Sequence, residues 1–96
     1  SPSEHLCLPN VEDIRVATIS SKIAAHVADI ARGGSMDLDN AMGKARKELD
    51  WDKQFELCMD PELAKKRRKA SKPGKEEVCT MCGEFCAIKI TNDYLK

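Results

Sequence analysis

The sequence predicts an all-α fold, a small helical hairpin or three-helix bundle followed by a Cys-rich metal-binding tail. Three observations carry that prediction. Apolar residues recur at steps of three and four from Val16 to Ile30, the spacing of one helical face. Hydrophobic residues make up 42% of the chain but aromatics only 4%, which suits helices packed through aliphatic side chains better than a β-sandwich. Three cysteines then fall close together in Cys79-Thr80-Met81-Cys82-Gly83-Glu84-Phe85-Cys86.

Residues 1–9 contain two prolines and read as an extended lead-in. Asn10 can cap the next helix, and Glu12 and Asp13 lie in its favoured acidic first turn. That helix is expected from Val11 to Arg32, with Val16, Ile19, Ile23, Val27 and Ile30 as its apolar stripe, closed by Gly33-Gly34. A second helix starts near Asp37, with Leu38, Ala41, Met42, Ala45 and Leu49 on its buried face. Asp50 or Asp52 opens a third, shorter helix carrying Trp51, Phe55 and Met59. Asp60-Pro61-Glu62 is a helix start signal, and the helix over 61–70 is broken at Lys72-Pro73-Gly74-Lys75. The domain reading is a lead-in over 1–9, a helical domain over 10–70, and a linker with a cluster-bearing tail over 71–96.

The bulk numbers narrow the function. A chain of 96 residues makes one small domain that buries roughly 60–65% of its unfolded surface. A metal or a partner is a common supplement to so modest a core. Sixteen basic and sixteen acidic side chains cancel, so no global field draws the chain to nucleic acid or anionic membranes. The apolar stretch over 14–31 is interrupted by Arg15, Lys22, His26 and Asp29 and is too polar to span a bilayer. Five cysteines without a secretory signal point to a reducing, cytoplasmic setting rather than a disulfide framework. The start at Ser1 without an initiator Met leads us to expect a piece of a longer protein.

The cysteine spacing is CxxCxxxC. Thiolates so spaced can reach three corners of an iron–sulfur cube and leave a fourth iron open to bind S-adenosylmethionine, whereas four-cysteine ferredoxin patterns close every corner. Gly83 would let the backbone fold tightly and donate N–H bonds to cluster sulfurs. The competing readings are half of a zinc site completed by His26, Cys58 or Cys7, a thioredoxin-like redox pair, which lacks its βαβ surroundings, and unrelated free thiols.

Several segments, taken in order, resemble the phosphomethylpyrimidine synthase (ThiC) family. They are Pro2-Ser3-Glu4-His5-Leu6 with Leu8-Pro9-Asn10-Val11-Glu12-Asp13, the run from Lys22 to Gly33, Trp51-Asp52-Lys53-Gln54-Phe55-Glu56-Leu57, Asp60-Pro61-Glu62, Cys79-Thr80-Met81-Cys82-Gly83, and Phe85 to Thr91. The resemblance implies the C-terminal piece of a (β/α)8-barrel enzyme, a radical S-adenosylmethionine carbon–carbon lyase. Such enzymes convert aminoimidazole ribotide to hydroxymethylpyrimidine phosphate in thiamin biosynthesis. It further implies a 4Fe–4S cluster on Cys79, Cys82 and Cys86, zinc or iron(II) at His5 in the full-length enzyme, and a homodimer whose substrate binds in the missing barrel. The isolated chain is then expected to be inactive. The usual bacterial spacing in that family is CxxCxxxxC, one residue longer than here. A shorter spacing occurs in anaerobic relatives, including the paralogous 5-hydroxybenzimidazole synthase of cobamide synthesis. That paralogue is one alternative, and a small zinc-binding interaction module is the alternative from another class. Cys7 stands where the family has a small residue.

Outside the family reading, His5 is an exposed histidine near a terminus. His26 is read as a structural histidine sharing a helix face with Asp29. Cys58 is read as a buried thiol beside Leu57 and Met59. Lys65, Lys66, Arg67, Arg68, Lys69, Lys72 and Lys75 form a run without an acid. With no interleaved aromatic to stack bases, the run is read as a solvated face and linker, with a charged hinge that carries the tail as the functional variant. Without iron, the tail is expected to be poorly ordered or differently folded.

Overall fold

A computed structural model describes residue 1, residues 3–72 and residues 74–96. Pro2 of the first family-like motif and Pro73 of the expected helix break lie outside the described residues. Every regular element among the described residues is helical: α1 (Val11–Ala31), α2 (Asp37–Lys47), α3 (Trp51–Leu57), α4 (Pro61–Ser71) and α5 (Ala87–Tyr94), with a 3-10 turn at Gly83–Phe85. They divide into two compact units, Ser1–Met36 and Asp37–Lys96.

In the first unit, α1 begins where local chemistry requires. The Asp13 N–H donates to Asn10 Oδ1 at 2.8 Å, and the Asn10 N–H donates to Asp13 Oδ2 at 3.0 Å, a reciprocal capping box. The Ser3 hydroxyl donates to the same Asp13 oxygen at 2.6 Å. This bond, followed by the Asn10 backbone N–H, holds the Asp13 carboxyl below its ordinary range. It also buries Ser3. The expected extended lead-in is therefore corrected. Its beginning is a turn, with the Leu6 N–H donating to Ser3 O at 2.8 Å and Glu4 at φ 41°, because Asp13 recruits Ser3. At the other end, Gly33 takes φ 87° while its N–H donates to Ile30 O and that of Gly34 to Asp29 O. That is the paired closure of a Schellman motif. Of the expected stripe, Val16, Ile19 and Ile30 are half-buried, whereas Ile23 and Val27 are exposed.

The second unit is built on α2, α3 and α4, with α3 packed against both of the others. Ala45 of α2 and Val78 are its buried apolar residues among those described. α2 closes with the Asp50 N–H donating to Ala45 O and that of Leu49 to Arg46 O, and Leu49 takes φ 55°. The expectation that Leu49 continues the helical face is thus corrected, since it sits in the left-handed closing position just beyond α2. Asp50 caps α3 through the Lys53 N–H at 2.9 Å. Asp60 caps α4 through the Leu63 N–H, with Pro61 inside the first turn. Met59, expected on the third helix, lies past its end.

The predicted fold class needs a larger correction. It expected a hairpin or three-helix bundle trailed by a Cys-rich metal-binding tail, as a piece of a barrel enzyme. Among the described residues there is no strand, and no group of three His, Cys, Asp or Glu side chains stands ready to hold a metal ion. The chain after α4 folds into the second unit as the 3-10 turn and α5, with Val78 2% exposed. The expectation that the tail, without iron, is poorly ordered or differently folded did not weigh that apolar residue and the long-range polar bonds described next.

A candidate cysteine site held by Trp51 and Arg68

The segment leading into the cysteines is fixed by side chains from α3 and α4. The Arg68 guanidinium stacks on the Trp51 ring, 3.7 Å from its centroid. One of its nitrogens donates to Val78 O at 3.2 Å and another to Glu76 O. Trp51 Nε1 donates to the carbonyl between them, Glu77 O, at 3.1 Å. Three consecutive carbonyls are thus satisfied from one stacked pair, immediately before Cys79. Sequence reasoning missed this by counting Arg68 among solvated charges. The available signal was a lone Trp at a capped helix start and an Arg one α4 turn into the basic run.

The far side of the cysteine segment is tied down as well. Lys89 of α5 pairs with Glu77 at 2.8 Å and with Asp93 at 3.1 Å. The Lys89 hydrogen bond holds the Glu77 carboxyl below its ordinary range, and Glu77, then Asp93, raises the Lys89 ammonium above its own. Asn92 Nδ2 donates to Lys47 O at 2.6 Å, satisfying a carbonyl that α2 leaves open at its end.

Between these attachments, Cys79, Cys82 and Cys86 border one open cavity of about 630 Å³, with Met42, Arg46, Leu49, Trp51, Gln54 and Ile88 on its walls. Cys79 and Cys86 are half-buried, Cys82 is exposed, and none of the chain's five thiols is in a disulfide. Gly83 takes φ 55°, and its N–H donates to Cys79 O at 3.1 Å. That bond closes the loop between the first two cysteines.

Among the described residues, no ligand set converges on a single ion. In an iron–sulfur cube each thiolate binds a different iron, so thiols bordering a common cavity suit that group in their donor chemistry without meeting at a point. His5 is exposed on the turn in the first unit. It has no ligand set of its own among the described residues, and a lone imidazole does not hold zinc. His26 is half-buried on α1, and its expected face-mate Asp29 pairs with Arg32 at 2.6 Å. Cys58 is half-buried, with its thiol 3.4 Å from Phe55 O. Cys7 is exposed. No helix among the described residues is long and apolar enough to cross a membrane.

Helices bearing a CxxCxxxC segment against a common cavity define a class, a helical module that presents three thiols together. The chain belongs to the Radical SAM ThiC family, whose pattern matches residues 1–93. It is 54% identical, over its whole length, to a phosphomethylpyrimidine synthase of Geobacter metallireducens. It is 55% identical over 97% of its length to phosphomethylpyrimidine synthase 2 of Syntrophotalea carbinolica, and 53% over 96% to a phosphomethylpyrimidine synthase of Clostridium novyi. The chain spans about 22% of the length of these curated relatives.

Proposed function

We propose that this chain is the C-terminal portion of a phosphomethylpyrimidine synthase, a radical S-adenosylmethionine lyase that converts aminoimidazole ribotide to hydroxymethylpyrimidine phosphate. In this reading Cys79, Cys82 and Cys86 are the protein ligands of a 4Fe–4S cluster, and His5 joins ligands from the rest of the enzyme on zinc or iron(II). The working enzyme is a homodimer, and the chain alone does not turn over substrate. The single observation that carries the reading is that all three cysteines of the family-like motif border one cavity, in a chain whose family match runs through them.

The bound cluster supplies the electron that cleaves S-adenosylmethionine. The chain's own part is to hold and surround it. Cys79 and Cys86 offer thiolates from partly covered positions and Cys82 from an exposed one. Met42, Leu49 and Ile88 give the cavity apolar walls beside the three thiols. The test is anaerobic reconstitution of the chain with iron and sulfide. About four of each per chain are expected for a cube. Loading should fall sharply in Cys79→Ser, Cys82→Ser and Cys86→Ser and stay unchanged in Cys7→Ser and Cys58→Ser. Full loading in any of the first three variants, or zinc uptake in place of iron and sulfide, would refute the reading.

A further inference from the structure

We infer that Arg68 and Trp51 are positioning residues that set the cysteine segment in place for cofactor ligation, an inference that rests on the proposed ligand role of Cys79, Cys82 and Cys86. The argument begins with the carbonyls of Glu76, Glu77 and Val78. They follow one another in an irregular segment, so secondary structure satisfies none of them. Arg68 takes the first and third, and Trp51 takes the second. A planar guanidinium reaches two acceptors at once without reorienting, while its face rests on an aromatic ring. A lysine ammonium at the same place would be a point charge without that fork.

The clamp ends one residue before Cys79. That cysteine's carbonyl in turn accepts from Gly83, and Cys82 O from Phe85. The positions of the first two thiols therefore follow from where Val78 is held. Trp51 also lines the cavity that the three cysteines border. Trp51 thus belongs both to the clamp and to the lining of the site. The remaining cations of the run make no such pair of backbone bonds among the described residues; Lys65 lies 5.9 Å from the Phe55 ring. Removing Arg68 should loosen residues 76–86 while leaving α2 in place. Cluster assembly would then start from a segment that has to be ordered first.

The test compares the chain with Arg68→Gln, Arg68→Lys and Trp51→Leu by amide hydrogen exchange, and then by the rate of anaerobic iron and sulfide loading. Exchange across residues 76–86 should accelerate about tenfold or more in Arg68→Gln and Trp51→Leu, from loss of a stacked, charge-assisted contact. Amides of α2 and the far-ultraviolet helical signal should stay at the starting values. Cluster loading should slow in the same variants, with Arg68→Lys intermediate in both readouts. Unchanged exchange in Arg68→Gln would overturn the clamp. Faster exchange with unchanged loading would overturn its positioning role. Loss of α2 protection as well would show a general structural role and overturn the inference too. Failure of the cysteine ligands themselves is read separately, from the Cys→Ser variants, and leaves the exchange result intact.

Discussion

Replacing Val78 by Ala tests whether the cysteine segment is truly part of the second unit. Val78 is 2% exposed, and it sits at the end of the Arg68–Trp51 clamp. The substitution deletes two methyl groups, worth about 0.8 kcal/mol each by transfer, and the space left behind raises the total to about 2–3 kcal/mol. The unit from Asp37 to Lys96 is expected to hold only about 3–9 kcal/mol in total. Val78→Ala should therefore remove about a fifth of its stability at the least, and most of it if the unit sits at the low end of that range, and lower Tm by roughly 8–24 °C. Urea and thermal unfolding can be followed by circular dichroism and by the fluorescence of Trp51, the chain's one tryptophan, whose indole donates next to Val78. Met81→Ala is the control. Its side chain is 90% exposed, so its effect should stay within about 0.5 kcal/mol. If Val78→Ala shifts the midpoint no more than Met81→Ala, the segment is not packed as described and the argument from burial fails.

Three further outcomes follow from local geometry. Asn10→Ala removes the acceptor for the Asp13 N–H and should cost α1 about 1 kcal/mol, read as lost helicity. Gly34→Ala should disrupt the closure of α1, because a Cβ there would lie 2.7 Å from Asp29 O; faster exchange of the amide at position 34 than in the unaltered chain would register it. The Glu77–Lys89 pair gives a signed pH dependence. The Glu77 pKa is lowered, so its contribution is complete above the ordinary glutamate value and is lost as pH falls through the depressed one. The Lys89 pKa is raised, so its contribution is complete below the ordinary lysine value and is lost as pH climbs through the elevated one. The stability difference between the chain and Glu77→Gln should thus be flat from about pH 5 to pH 10 and vanish in acid; a difference that persists there would contradict the assignment.

Much of this molecule is written locally. Asn10, Asp50 and Asp60-Pro61 announce helix starts because a cap acts within three residues of itself, and Gly33 announces an end because few other residues accept φ 87°. The cysteine motif is equally local, and its spacing was enough to single it out. The contacts that place it were not legible, because they join distant positions. Asn92 reaches back 45 residues to Lys47, and Trp51 reaches 26 residues forward to Glu77. Neither separation leaves a periodic trace. Arg68 was hidden for a different reason: composition alone does not distinguish a clamping arginine from its solvated neighbours. Leu49 defied expectation because the closure of α2 puts a leucine where glycine is usual.

The most direct measurement maps which thiols a loaded cofactor protects. After anaerobic loading with iron and sulfide, brief alkylation followed by peptide mass spectrometry should label Cys7 and leave Cys79, Cys82 and Cys86 unmodified, with all three becoming reactive once iron is chelated. Alkylation of any one of the three in fully loaded chain, or protection that passes to Cys58 instead, would contradict the proposal that these cysteines together hold the cluster.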